Sequence, residues 1–171
     1  MSWLHRLLGR EELPEGFAGT LTGDERVLAS ATARGGAPVV ATSLGVWLPE
    51  GRLVGWHLVS KATWADDALW LVEADECGTV DEAVLLMDRS PRQLPLEQPG
   101  RLPELVHTRV TGSIRARQRV ELPGGGAWFL RRSVPGRDGL VLQVRPDPGT
   151  DEDALRAAAP EAIARLKATP G

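Results

Sequence analysis

The sequence lacks tyrosine altogether and has one cysteine and two lysines, although it contains six tryptophans among its 171 residues. Because Cys77 has no second cysteine to pair with, an internal disulfide is excluded, and with it a disulfide-stapled secreted scaffold. No stretch approaches the roughly 18 consecutive apolar residues that a membrane-spanning helix needs. The first residues also lack an apolar run with a small-residue cleavage site. We therefore expect a protein of the reducing cytoplasm.

Glycine and proline are abundant, at 19 and 13 residues, which predicts a chain with many turns. With 42% hydrophobic and 25% charged residues, the composition is that of a globular domain. It excludes a disordered chain, a collagen and a coiled coil. The net charge of −3 and the scarcity of lysine argue against general binding of nucleic acid.

The first ten residues have the spacing of a short amphipathic helix, because tryptophan and leucine recur at helical intervals. We predict this helix and a linker over residues 1–20. Ten residues are marginal as an isolated helix, so its apolar side is expected to dock on the rest of the chain or on another surface. An anionic surface at the inner membrane or a groove on a partner protein would suit its basic and apolar side chains. The candidate contact residues are Trp3, Arg6, Leu7 and Arg10.

Alternation of apolar and polar residues predicts a succession of antiparallel strands. Four short segments with this pattern lie within 27–74, separated by turns rich in glycine, proline and aspartate. The pattern resumes over 105–122, which is interpreted as one long strand bent at Gly112, and two further strands follow in a meander. Four prolines within thirteen residues forbid a long helix before it, so 76–104 is interpreted as irregular. Strands at this spacing favour a mainly β antiparallel sandwich or partly open barrel over βαβ units.

A C-terminal helix is predicted within residues 150–168, where apolar side chains can share one face. Thr150–Asp153 resembles a capping box at its start, and Pro160 is expected to kink or restart the helix. No internal repeat is present. The chain after the linker is therefore interpreted as a single domain, 21–171.

Three segments resemble the opening of bacterial PH-like and GRAM-like domains: Asp24–Ala29, Val39–Trp47 and Leu53–Val59. The resemblance covers roughly 21–167, although Ser43 and Gly45 stand where such domains usually have aspartate and arginine. It implies a PH-like antiparallel β-sandwich or partly open barrel closed by the C-terminal helix, with a binding or scaffolding role. The chain also resembles a family of uncharacterised actinobacterial proteins, through Trp47, Trp56–Ala62 and Leu122–Phe129.

The sequence contains no recognisable catalytic constellation. Three dispersed histidines and Cys77 lack the spacing of a metal site, and no serine lies in a nucleophile-elbow motif. Gly124–Gly126 lacks the following Lys-Ser/Thr of a phosphate loop and is interpreted as a hairpin turn. We therefore expect neither a metal nor a cofactor, and a function that is not enzymatic.

Positive charge is concentrated in residues 109–145, which carry eight basic and two acidic side chains. Alternate residues of a strand share a face, so the arginines of this region can form one patch on neighbouring strands. Guanidinium groups suit carboxylate or phosphate, whereas the opposite interpretation pairs them with the chain's own acidic residues. Elsewhere, a lysine near tryptophans can contact an anion or an aromatic face. The candidate binding residues are Arg115, Arg117, Arg119, Arg131, Arg132, Lys61 and Trp64.

The sequence thus predicts a binding or adaptor module that recognises a protein partner, or an anionic ligand such as a lipid headgroup, through its arginine-rich face. Nucleic acid is not an expected partner, and the oligomeric state is left open. Of the tryptophans, we expect Trp47, Trp56, Trp70 and Trp128 to fill a core, and Trp3 and Trp64 to be available for contacts.

An alternative interpretation is enzymatic. Ala29–Thr42 also resembles the opening of pyridoxamine-phosphate-oxidase-like proteins, which would imply a flavin-binding split barrel and an oxidoreductase. Such proteins usually have a lysine-containing helix between their third and fourth strands, for which Ser60–Asp67 is too short. A third interpretation is a structural adaptor within a larger complex, which exposed tryptophans would favour.

Overall fold

A computed structural model describes residues 13–170. The predicted N-terminal helix, with Trp3, Arg6, Leu7 and Arg10, lies outside the described residues. Within them the chain is mainly β and ends in a helix, which confirms the predicted fold class. No helix in this part of the chain is both long and apolar enough to cross a bilayer.

Contacts cluster in two compact units, of which one comprises 13–73 and 90–111 and the other 74–89 and 112–170. The single domain over 21–171 stays a prediction. The strands of the first unit are β1 (Val27–Ala33), β2 (Pro38–Thr42), β3 (Gly45–Trp47), β4 (Leu53–Gly55), β5 (Val59–Ala65), the start of β6 (Ala68–Val80) and β8 (Arg92–Glu97). They pair antiparallel in the order β4-β3-β2-β1-β8-β6-β5. A short 3-10 helix, Trp56–Leu58, connects β4 to β5, and no described ladder joins these two strands, so the sheet is open.

The core of the first unit lies between these strands and helix α1 (Leu102–Ser113). Every residue of β2 is buried, because Val39 and Ala41 enter this core while Val40 packs on the other side of the sheet. From α1, side chains four residues apart complete the core: Leu102, Val106 and Val110. The strands and the helix therefore bury a continuous apolar cluster, which stabilises the unit.

The second unit combines the remainder of β6 with β7 (Ala83–Asp88), β9 (Ile114–Leu122), β10 (Gly125–Ser133), β11 (Leu140–Pro146) and helix α2 (Glu152–Ala168). Its strand order is β6-β7-β11-β10-β9, in which only the pair β7 and β11 is parallel. The predicted meander β9–β11 is confirmed. One face of these strands packs on the apolar side of α2, through residues such as Phe129, Val144, Leu155 and Ile163.

The predicted strand over 105–122 is wrong in its first half, where the chain forms α1. Gly112, expected to bend a strand, lies in that helix. The β-branched residues of this segment alternate as in a strand, but its buried side chains also recur every fourth residue and so form one helical face. Burial of that face against the first core outweighs the weak strand propensity of the β-branched residues.

Residues 76–104, expected to be irregular, contain the end of β6 and all of β7 and β8. Pro95 fits in β8 because its missing N–H faces the β1 side, where the ladder through Leu96 and Glu97 has already ended. Its carbonyl on that side accepts a hydrogen bond of 2.8 Å from the backbone N–H of Arg34, just past β1.

The C-terminal helix is confirmed, but the expected cap is corrected. Asp151 is the N-cap, and its side chain accepts a hydrogen bond of 3.2 Å from the backbone N–H of Asp153. Thr150 instead binds the backbone of Gly126 with its hydroxyl. Pro160 lies inside α2, which runs on past it to Ala168.

Candidate functional site

The sheet β9–β11 has two chemically different faces. Ala127 and Phe129 point to the apolar side of α2, so the residues between and around them, including Trp128, point to the opposite face. Antiparallel register places Trp128 directly beside Arg119 on β9 and Arg145 on β11. An aromatic ring is therefore surrounded by arginines on the face away from the helix.

Trp128 forms the centre of a guanidinium–aromatic stack. The guanidinium carbons of Arg117 and Arg119 lie 5.5 and 5.4 Å from the ring centroid, within cation–π range. Trp128 is half-buried rather than a core residue, and Trp70 is half-buried too, which corrects the expectation for both rings. Trp47 and Trp56 are buried as predicted, although Trp56 lies in the 3-10 helix.

Arg119 is immobilised by carboxylates of its own unit. Its terminal nitrogens donate to both oxygens of Asp147, at 3.1 and 2.5 Å, and its Nε donates to Glu121 at 2.8 Å. These hydrogen bonds, led by the one to Asp147, raise the pKa of Arg119, and the same guanidinium lowers the pKa of Asp147. The guanidinium of Arg119 is therefore held in place beside the Trp128 ring, and two carboxylates compensate most of its charge.

Arg115 and Arg117 are exposed and form no ion pair or side-chain hydrogen bond with any residue that the structure describes. Arg117 projects from β9 to the face that carries Trp128, because it lies two residues from Arg119, which is paired with Trp128. Arg115 lies at the β-bulge between the pairs Ala116–Arg131 and Ile114–Arg132. The guanidinium of Arg117 lies on the indole ring, and this contact restricts its orientation. Its N–H donors, which point outwards in the plane of the guanidinium, form no hydrogen bond with a described residue. This pair supplies positive charge that no described carboxylate compensates.

Arg131 and Arg132 do not join this exposed group. Arg131 points to α2 and donates to the backbone carbonyls of Leu166, Lys167 and Thr169, which neutralises the negative end of that helix. Arg132 is fully buried, and its Nε donates to the hydroxyl of Ser113 at 2.7 Å. Burial, aided by the charge of Arg145, lowers the pKa of Arg132 to about 10.

The arginine-rich surface thus has fewer arginines than the sequence predicts, and it contains Trp128, which the sequence pattern assigns to a core. We define it as Arg115, Arg117, Arg119 and Trp128. The tight turn after Leu122 could have predicted that Trp128 belongs to this face. A two-residue turn pairs Leu122 with Gly125, and the same register then places Arg119 opposite Trp128.

Lys61 and Trp64 lie in the first unit, on opposite faces of β5. Lys61 borders a groove of about 320 Å³ whose wall includes Trp70 and Asp66. Trp64, with 40% of its surface exposed, borders a separate pocket of about 340 Å³. The predicted pair therefore does not form one site, and sequence reasoning missed the α1 residues that complete the pocket beside Trp64.

Residues Ser60–Ala65 belong to β5 and the next two form a turn, so the described chain has no helix at the position where the flavin-binding family usually has one. The flavin interpretation stays a prediction. In comparisons with known proteins, no family model, no curated protein and no solved structure matches the chain.

Proposed function

We propose that this protein is a binding module that recognises an acidic segment of a partner protein through Arg115, Arg117, Arg119 and Trp128. The observation that carries the proposal is a pair of exposed guanidinium groups that have no counter-charge among residues 13–170. One of them is stacked on a ring that a third arginine also contacts. Planar guanidinium groups bind carboxylates through paired N–H donors.

Preorganisation supports this role. An arginine that must be ordered before it binds loses rotamer entropy, which offsets the gain from an exposed ion pair. Arg117 avoids part of that cost because its guanidinium lies on the Trp128 ring. The ion pairs of Arg119 with Asp147 and Glu121 hold a second guanidinium at the same ring. A carboxylate that binds this face therefore causes a smaller loss of side-chain entropy than it would at arginines that are not held in place.

A protein partner fits this surface better than a lipid bilayer. Recognition of anionic lipid generally uses clusters of about four to eight basic residues, whereas two arginines of this face lack an acidic partner among the residues that the structure describes. The apolar side chains of β9, such as Val120 and Leu122, pack in the second core instead of projecting from the arginine face. Glu121 and Asp147 also border the face and would repel a densely anionic surface.

Fluorescence anisotropy with a labelled seven-residue peptide of alternating glutamate and threonine tests the proposal. Binding is expected at low salt and is expected to weaken as sodium chloride is added, since exposed charges are screened. The double variant Arg115→Gln, Arg117→Gln should bind about tenfold more weakly, because two charge-assisted contacts are lost on an exposed surface.

The matched control is Arg109→Gln, Arg137→Gln, which removes two other exposed arginines and the same net charge. Its affinity should equal that of the unmodified protein. Equal losses in both double variants would mean that only net charge matters and would overturn the proposal. So would binding to phosphatidylserine vesicles that depends on Arg115 and Arg117 without any binding of the peptide, because the ligand would then be a lipid surface.

A further inference from the structure

The hairpin formed by β5 and β6 fixes which backbone groups of β5 face outwards. Its two turn residues, Asp66 and Asp67, have φ angles of 54° and 57°, as in a type I′ turn. In such a hairpin the residues that flank the turn, Ala65 and Ala68, form a hydrogen-bonded pair. Since pairs alternate along an antiparallel ladder, Trp64 opposite Leu69 is a pair without mutual hydrogen bonds. The N–H and C=O of Trp64 therefore point away from β6.

No described strand lies on that outer side of β5, which pairs with β6 alone. The next outward carbonyl along the strand, that of Ala62, is already bound by Nδ1 of His107 on α1, at 2.9 Å. From Trp64 to the hairpin tip, however, no part of the chain within 13–170 pairs with the edge, and Trp64, Ala65 and Asp66 are all exposed. One outward N–H and C=O pair is thus available to an added strand.

A pocket opens beside the same residue. The exposed indole of Trp64 forms one wall, Pro99 and Pro103 contribute apolar surface, and Glu104 and His107 bring the polar groups. The carboxylate of Glu104 forms no hydrogen bond or ion pair with any described residue. A carbonyl oxygen only accepts, so Nδ1 of His107 is the donor in the hydrogen bond to Ala62. In the neutral ring, Nε2 is then a hydrogen-bond acceptor. An aromatic face and an uncompensated carboxylate together favour a cation.

We propose that β5 accepts an extended segment of a partner protein as an added antiparallel strand, with a lysine or arginine of that segment seated between Trp64 and Glu104. Directly opposed residues of antiparallel strands place their side chains on the same face. The partner residue that exchanges both backbone hydrogen bonds with Trp64 therefore directs its side chain to the pocket. Backbone pairing and charge recognition coincide at one residue, independently of the arginine face in the other unit.

The neighbouring residues of the added segment face the other side of the sheet, where Thr63 and Trp70 border the second groove. That groove is lined by Lys61 and Asp66 as well as apolar surface. Uncharged or hydroxyl side chains suit its mixed lining better than a basic one, because a second cation would meet Lys61. The preferred segment thus has one basic residue flanked by small, β-prone residues.

The test uses a fluorescein-labelled seven-residue peptide of alternating threonine and valine with arginine at its centre, measured by anisotropy on the full chain. The arginine peptide is expected to bind about tenfold more tightly than the same peptide with glutamine at the centre. Trp64→Ala and Glu104→Gln should each remove most of this preference. Glu97→Gln, which alters an exposed carboxylate of the same unit, should leave it intact.

A backbone-methylated pair of peptides separates strand addition from charge recognition alone. Methylation of the central arginine nitrogen removes the N–H that would donate to Trp64 and should weaken binding about tenfold. Methylation of the next residue, whose N–H faces away from β5, should have little effect. Equal effects of both methylations, or equal affinity for the arginine and glutamine peptides, would overturn the proposal. Self-association in sedimentation that Trp64→Ala abolishes would also overturn it, because a second copy of the chain would then occupy the edge.

Discussion

Replacement of Glu25 by alanine is expected to lower the free energy of unfolding of the first unit by about 3 kcal/mol. Glu25 is buried, with 7% of its surface exposed, and one of its oxygens accepts hydrogen bonds from the Thr42 hydroxyl at 2.6 Å and the Trp47 indole N–H at 2.8 Å. Its other oxygen accepts from the backbone of Thr22 at 3.1 Å. Alanine would leave the buried indole N–H of Trp47 unpaired and the Thr42 hydroxyl with only a long contact of 3.4 Å to the carbonyl of Gly45. Hydrogen bonds to a charged acceptor are the stronger kind.

Urea denaturation followed by tryptophan fluorescence measures this loss. Glu97→Ala is the matched control, because Glu97 is an exposed carboxylate of the same unit, and its effect should stay within about 0.5 kcal/mol. Glu25→Ala with the stability of Glu97→Ala would show that the three hydrogen bonds contribute nothing. The position of Trp47 beside Val27 and Val40 would then depend on apolar packing alone.

Gly124→Ala is expected to destabilise the second unit by about 3 kcal/mol. Gly124 occupies the turn between β9 and β10 with φ of +84°, and a Cβ there would overlap the carbonyl oxygen of Gly149. The alanine therefore bears both a left-handed backbone and a clash with main-chain atoms that cannot rotate away. Because this turn sets the register that places Trp128 beside Arg119, we also expect weaker binding of the glutamate peptide.

Gly139→Ala is the control that separates the effect of the clash at Gly124 from the effect of the left-handed backbone conformation. Gly139 has nearly the same φ, +82°, but a Cβ there would meet nothing within 4 Å. Its substitution should cost only about 1 kcal/mol, the penalty of the left-handed conformation. Equal losses of unfolding free energy in the two variants would contradict the proposed overlap with Gly149.

Local patterns were sufficient to predict much of the sheet. Period-two alternation marks β1 and β9, and the short turn after β9 determines which residues of β10 lie opposite its arginines. The same alternation shows why Arg131 and Arg132 cannot share a face, since successive residues of a strand point to opposite sides. That Arg131 then meets the end of α2, and that Arg132 is buried, depends on tertiary packing with no local signal.

Helix α1 was mispredicted because its sequence satisfies two periodicities. Val106 and Val110 fit a strand by their branched side chains and a helix by their spacing, and only the first core decides between them. The pocket beside Trp64 was hidden for the same reason. Glu104 and His107 lie one helical turn apart and share a face only because both belong to the helix, whereas the sequence pattern predicts an irregular segment that ends at 104 and a strand that begins at 105.

An exchange of charge tests the proposed acidic-segment binding most directly. The protein with Arg115→Glu and Arg117→Glu is titrated with the glutamate peptide and with a peptide in which every glutamate is replaced by lysine. We expect this variant to lose the glutamate peptide and to bind the lysine peptide, because the two exposed charges of β9 are reversed while the hydrogen bonds that hold Arg119 remain. An unchanged preference for the glutamate peptide would contradict the account and remove the arginine face from the function of this protein.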